Sequence, residues 1–133
     1  MQYVWKTYPN GNQALKGVTV QIDRSEFVYV VGPSGAGKST FMKLMYREEV
    51  PTKGQISVNG FNLGKLKQRN IPLLRRNIGV IFQDYRLLPK LTAYENVAFA
   101  MEVIEAPRKL MKKRVMEVLD LVGLKNKANR EPQ

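Results

Sequence analysis

Residues 27–40 read FVYVVGPSGAGKST, and this stretch decides the fold. Phe27 to Val31 is a short, continuously apolar run, the pattern of a strand buried on both faces. It feeds Gly32-Pro33-Ser34-Gly35-Ala36-Gly37-Lys38-Ser39, which matches G-x-x-x-x-G-K-[ST]. The glycines let successive backbone N–H groups turn inward around phosphate oxygens. A helix beginning near Lys38 adds the positive end of its dipole. Lys38 supplies a point charge for the β- and γ-phosphates, and Ser39 offers a hydroxyl to Mg²⁺. Thr40 closes the loop, and Phe41, Leu44 and Met45 continue at helical spacing. A strand before and a helix after are the context the motif requires, so the loop is expected to hold a nucleoside triphosphate.

The rest of the chain is read outward from that loop. Upstream, Asn10-Gly11 is a hairpin-turn signal, and Val18, Val20 and Ile22 alternate as a half-buried strand would. Downstream, Asn59-Gly60 predicts a second hairpin, Pro72 a short helix, and residues 78–82 (IGVIF) another buried strand. Thr92-Ala-Tyr-Glu95 is a capping box opening a helix that Pro107 breaks. A following helix carries Leu110, Met111, Val115, Val118, Leu119 and Val122 on one stripe, with Gly123 at its end.

The 133 residues fit about one domain. No apolar run approaches the ~20 residues of a membrane-spanning helix, and the first residues carry no basic-then-apolar secretory pattern. Cysteine is absent, which excludes disulfides and thiolate metal sites and suits a reducing cytosol. Histidine is absent too, removing the commonest general base. The formal charge is +11. Its cations cluster at 65–76 and 108–114, without the interleaved aromatics of a single-strand nucleic-acid surface; nucleic acid is not the expected partner. Asp120-Leu-Val-Gly123 and Asn126-Lys-Ala-Asn129 imitate GTPase motifs by letter. They fall at a helix end, three residues apart, and read as a terminus and a loop. Asp120 likewise lies on a helical stripe rather than at a strand end, unlike a metal-binding aspartate.

Four stretches carry a family resemblance: YPNGNQALKGV, GPSGAGKSTFMKLMYREE, IPLLRRNIGVIFQDYRLLP and TAYENVAFAMEVI. With them the chain resembles the ATP-binding-cassette (ABC) ATPases, and within those the cell-division branch. The resemblance implies an α/β P-loop NTPase with N-terminal antiparallel hairpins, a strand–loop–helix core (residues 1–91) and the start of a helical subdomain (92–133). It implies ATP and Mg²⁺ as ligands, with Tyr8 stacking on adenine, Gly32 to Thr40 cradling phosphates, and Ser39 and Gln83 on the metal. Lys38 and Gln83 become the catalytic candidates, Gln83 by reaching the attacking water. It also implies an integral membrane partner of the FtsX type docking on the region after Gln83, dimerisation of the full-length ATPase, and a peripheral place on the cytoplasmic face of the membrane. An ATP-binding subunit of an exporter of lipoprotein or small molecules is the alternative, and a basic, non-catalytic nucleic-acid-binding module a more distant one. The family's serine-glycine signature, metal-binding aspartate, catalytic glutamate and switch histidine are not found before KANREPQ. The expectation is therefore a fragment that binds ATP without hydrolysing it. Ser25-Glu26 stands where relatives commonly carry Gly-Glu.

Overall fold

The computed structural model describes residues 1–132; Gln133 lies outside the described residues. The chain divides into two compact units, Met1–Gly79 and the residues from Val80 onward.

In the first unit, β1 (Gln2–Thr7) and β2 (Gln13–Val18) form a hairpin. The predicted turn closes it: the Tyr8 N–H donates to the Asn12 carbonyl and the Gly11 N–H to the Tyr8 carbonyl, both at 2.9 Å. β3 (Lys53–Gln55) pairs with the other edge of β1, giving the antiparallel order β2-β1-β3. β4 (Ser57–Val58) and β5 (Phe61–Asn62) form the second hairpin. Asn59 and Gly60 turn it at φ 47° and 81°, the paired left-handed conformation that favours Asn-Gly. Helix α1 (Lys38–Met45) follows the glycine loop and buries Thr40, Phe41 and Leu44. A 3-10 turn (Gln68–Asn70) leads into α2 (Ile71–Arg76), with Pro72 in its first turn. Val4, Leu15, Phe41, Leu44, Ile56, Leu63 and Leu74 make the core.

Three expected strands are corrected. β2 ends at Val18, and Val20 instead exchanges backbone hydrogen bonds with Met1. Residues 27–31 and 78–82 belong to no strand. A parallel strand needs neighbours delivered by crossover connections. The described strands pair only as β2-β1-β3 and β4-β5, so neither segment has a ladder beside it. The apolar side chains are exposed as a result: Phe27 by 80% and Val31 by 84%, with Ile81 fully solvated. Ser25 lies at φ 65°, the left-handed region that glycine enters at no steric cost. The Glu26 carboxylate accepts the Asp23 N–H at 2.7 Å and holds that turn.

In the second unit, α3 (Ala93–Val103) and α4 (Arg108–Leu121) pack around Val115, Leu119 and Ala128. Only part of the expected α4 stripe turns inward: Val115 and Leu119 are buried, whereas Leu110 and Val122 face solvent. Carbonyls of Arg130 and Ala128 accept the N–H groups of Ala93 and Tyr94, both at 2.8 Å. Those N–H groups belong to the first turn of α3 and have no partner within the helix.

The capping box is complete. Glu95 accepts the Thr92 N–H at 2.7 Å and the Thr92 hydroxyl at 2.8 Å, while the Glu95 N–H donates to Thr92 Oγ1 at 3.2 Å. The bond from the Thr92 backbone, then that from its side chain, holds the Glu95 carboxyl below its ordinary pKa. A depressed folded-state pKa contributes stability above the ordinary carboxylate value, and that stability disappears as pH falls through the depressed value. The far-UV helical signal of the native chain should accordingly fall over this acid window. Glu95→Gln should lack that component of the titration; identical acid profiles for both proteins would refute it.

Candidate functional site

The glycine loop joins residue 31 to α1, and its geometry follows from glycine. Gly37 caps α1 at φ 86° with no side-chain cap. A Cβ there would collide with the Ala14 carbonyl oxygen and meet Leu15 Cδ2 at 3.0 Å. Only a residue without Cβ lets β2 come this close to the start of the helix. The first helical N–H groups, those of Lys38, Ser39 and Thr40, find no acceptor within a helix. With no side chain at Gly37 to cap them, they form a donor cluster reinforced by the helix dipole. Pro33 and Ala36 close the loop through an Ala36 N–H to Pro33 carbonyl bond at 3.2 Å.

Lys38 Nζ folds over this loop and donates to the carbonyls of Gly32 at 2.8 Å and Pro33 at 2.7 Å. Both bonds are solvent-exposed, so the ammonium can exchange these partners for stronger anionic acceptors. Gly32, Ser34, Gly35 and Ser39 are exposed along the same loop. The Ser39 hydroxyl is a free oxygen donor of the hard type that Mg²⁺ prefers. Thr40 differs from it. Thr40 is buried, and its hydroxyl shares a hydrogen bond of 3.1 Å with the Tyr8 hydroxyl.

Tyr8 is thereby brought to the first turn of α1. Its ring also carries the Lys6 ammonium, 4.9 Å from the centroid. Lys6 is 7% exposed; it pairs with Glu49 at 2.6 Å and donates to the Val50 carbonyl at 2.9 Å. This pair ties β1 to the segment following α1. No local spacing announces it, because the partners are remote along the chain.

Gln83 belongs to the second unit and stands exposed in a turn. The next residues are constrained. Tyr85 and Arg86 adopt φ 56° and 47°, a left-handed pair without glycine. Arg86 packs over the Phe82 ring at 3.9 Å and lies 3.6 Å from Asp84. Asn96 fixes the far end of this loop. Its amide donates to the carbonyls of Leu88, Leu91 and Thr92 and its oxygen accepts the Leu88 N–H. Asn96 reads as an ordinary polar helix residue in the sequence; only the returning loop shows its role. Asp120 lies on α4 and pairs with Lys125 at 3.1 Å.

Comparison with known proteins identifies the family. The chain is 62% identical over 132 residues to the cell-division ATP-binding protein FtsE of Bacillus subtilis, covering 99% of this chain and 58% of that protein. It is 60% identical over 132 residues to FtsE of Streptococcus pneumoniae serotype 2, covering 99% of this chain and 57% of that one. The chain thus spans a little under three fifths of these relatives. A solved dimeric ATP-binding cassette in a post-hydrolysis state, bound to ADP and Pi, superposes with a TM-score of 0.86 at 34% identity, over 98% of this chain and 60% of that one. A likeness of this extent establishes the cassette's α/β P-loop fold for the chain. The family profile described as ABC transporter matches residues 15–133, and the chain belongs to that family.

Proposed function

We propose that the chain is the ATP-binding part of a cell-division ABC complex and takes ATP with Mg²⁺ through Gly32–Thr40. The observation that carries this is the loop itself: uncapped N–H donors at the start of α1, an exposed ammonium at Lys38, and a free hydroxyl at Ser39. The relatives at 62% and 60% identity, both named for cell division, favour that role over export. Mg²⁺, when bound, would supply positive charge against the phosphates. Ser39 would supply a hydroxyl oxygen to it, and Gln83 is the second candidate ligand. Tyr8 offers a ring for adenine beside the first turn of α1, and the surface from Asp84 to Glu95 offers a face for an integral membrane partner of the FtsX type. Pairing of two ATP-binding parts would follow the dimeric cassette. With these roles the parent protein would sit peripherally at the cytoplasmic face of the membrane.

Binding without turnover is the expected behaviour of the 133-residue chain. Catalysis of phosphoryl transfer needs a group that orients water as well as charges that hold phosphate. The sequence has no histidine. Each carboxylate of the first unit is already engaged: Asp23 by the Gln21 amide, Glu26 by the Asp23 N–H, Glu48 by Lys43 and Glu49 by Lys6. The Glu48 hydrogen bond and charge raise the Lys43 pKa, as such a pairing should. A fluorescent ATP analogue should bind saturably in the presence of Mg²⁺, while phosphate release stays at background and equals that of Lys38→Ala. Lys38-dependent turnover would show that the base lies among these residues after all. An absence of saturable binding would remove the proposal altogether.

A further inference from the structure

From Val50 to Gly79 the sequence carries six Lys or Arg and no Asp or Glu. The structure sorts this segment into two sides. Leu63, Ile71 and Leu74 are buried, and Leu66 packs against the same core. Between them Lys65, Lys67 and Arg69 are exposed, and none has a carboxylate partner among the described residues. Leu73, in the same basic stretch, is 48% exposed. Arg75 belongs to the scaffold instead, donating to the carbonyls of Tyr46 and Arg47.

From this we infer that the outward side of residues 65–73 is a contact surface for an anionic lipid bilayer. Lys65, Lys67 and Arg69 would meet the lipid phosphates and Leu73 the interfacial apolar layer.

Charge complementarity selects the partner's sign, and the remaining chemistry selects its class. Cations near an anionic bilayer each contribute modestly and additively, without needing a shaped pocket. A partly exposed leucine among them adds the apolar contact that an interfacial helix uses. A single-stranded nucleic acid would call for aromatic stacking platforms, and residues 63–79 contain no aromatic side chain. The other basic cluster, on α4, is a poorer surface. It carries carboxylates among its cations, Glu117 meeting Lys113 at 4.0 Å and Arg114 at 3.2 Å and Asp120 meeting Lys125 at 3.1 Å, whereas residues 50–79 carry none. The surface is independent of the nucleotide loop, so its failure would leave the ATP proposal standing.

The test is co-sedimentation of the 133-residue chain with vesicles made of equal parts phosphatidylcholine and phosphatidylglycerol, against phosphatidylcholine alone. Binding should require the anionic lipid, weaken with salt, and be indifferent to ATP. At about fivefold per cation, Lys65→Gln/Lys67→Gln/Arg69→Gln should bind roughly a hundredfold more weakly. The charge-preserving Lys65→Arg/Lys67→Arg/Arg69→Lys should bind like the native chain, which separates charge from folding. Lys109→Gln/Lys112→Gln/Lys113→Gln should lose far less. Leu73→Gln should weaken vesicle binding and leave any affinity for duplex DNA unaltered. Native-like vesicle binding by the 65/67/69 glutamine variant would overturn the inference. So would tighter capture of duplex DNA than of the vesicles at the same salt, which would make nucleic acid the partner.

Discussion

Lys38→Ala should weaken ATP binding by about 1.5–3 kcal/mol, roughly ten- to 150-fold, the usual worth of a hydrogen bond to a charged group. In the structure Nζ rests on the carbonyls of Gly32 and Pro33 at 2.8 and 2.7 Å. Those acceptors are neutral, whereas a phosphate oxygen is charged, so the exchange favours the ligand. The bonds lost on truncation are exposed, and water replaces them. Stability should therefore move by no more than about 0.5 kcal/mol, as for ordinary surface substitutions. That separation makes the result interpretable: a fluorescent-nucleotide titration should show the loss, while the urea midpoint stays put. Lys38→Arg should also weaken binding, because a planar fork does not reproduce a compact ammonium. Equal affinity for the native chain and Lys38→Ala would place the phosphates elsewhere.

Gly37→Ala should act on folding as well as binding. Two costs combine. The φ of 86° is left-handed, where a Cβ costs roughly 1–2 kcal/mol. The new Cβ also runs into the Ala14 carbonyl oxygen and crowds Leu15, which is core. Overpacking typically adds ~1–3 kcal/mol, and a backbone oxygen cannot swing aside as a flexible side chain can. The total, about 2–5 kcal/mol, is a large fraction of a small domain's stability. Chemical denaturation should show a markedly lower midpoint. Gly35→Ala provides the control. Gly35 has a similar φ of 80° but open space around it, so it should bear only the first cost. Equal midpoints for the two variants would mean that contact between β2 and the start of α1 does not constrain the loop.

The features legible in the sequence are those whose cause is local. Asn10-Gly11 and Asn59-Gly60 announce turns because few residues tolerate positive φ, and both turns form. Thr92 and Glu95 satisfy each other's N–H groups across three residues, so spacing alone reveals the cap. The glycine loop is readable for the same reason, since its residues must be small where the backbone crowds β2. What spacing could not reveal depends on partners distant in sequence. FVYVV and IGVIF have the composition of buried strands, but composition does not say which strand will lie alongside. In this structure none does. No local pattern marks Lys6 as buried, yet Glu49 and the Val50 carbonyl draw it inside. Tyr8 was expected on the ligand's base. The structure adds a neighbour that no motif specifies, the Thr40 hydroxyl.

The most direct measurement is a two-dimensional amide NMR titration of the 133-residue chain with Mg²⁺·ATP. If α1 receives the phosphates on its uncapped N–H groups, the largest shifts should fall on the amides of Gly35 to Thr40, with smaller ones at Ala14 and Tyr8. The same titration on Lys38→Ala should need much more nucleotide to produce them. Shifts confined to the basic stretch from Lys65 to Arg76, with Gly35 to Thr40 unmoved, would contradict the assignment of the glycine loop as the nucleotide site.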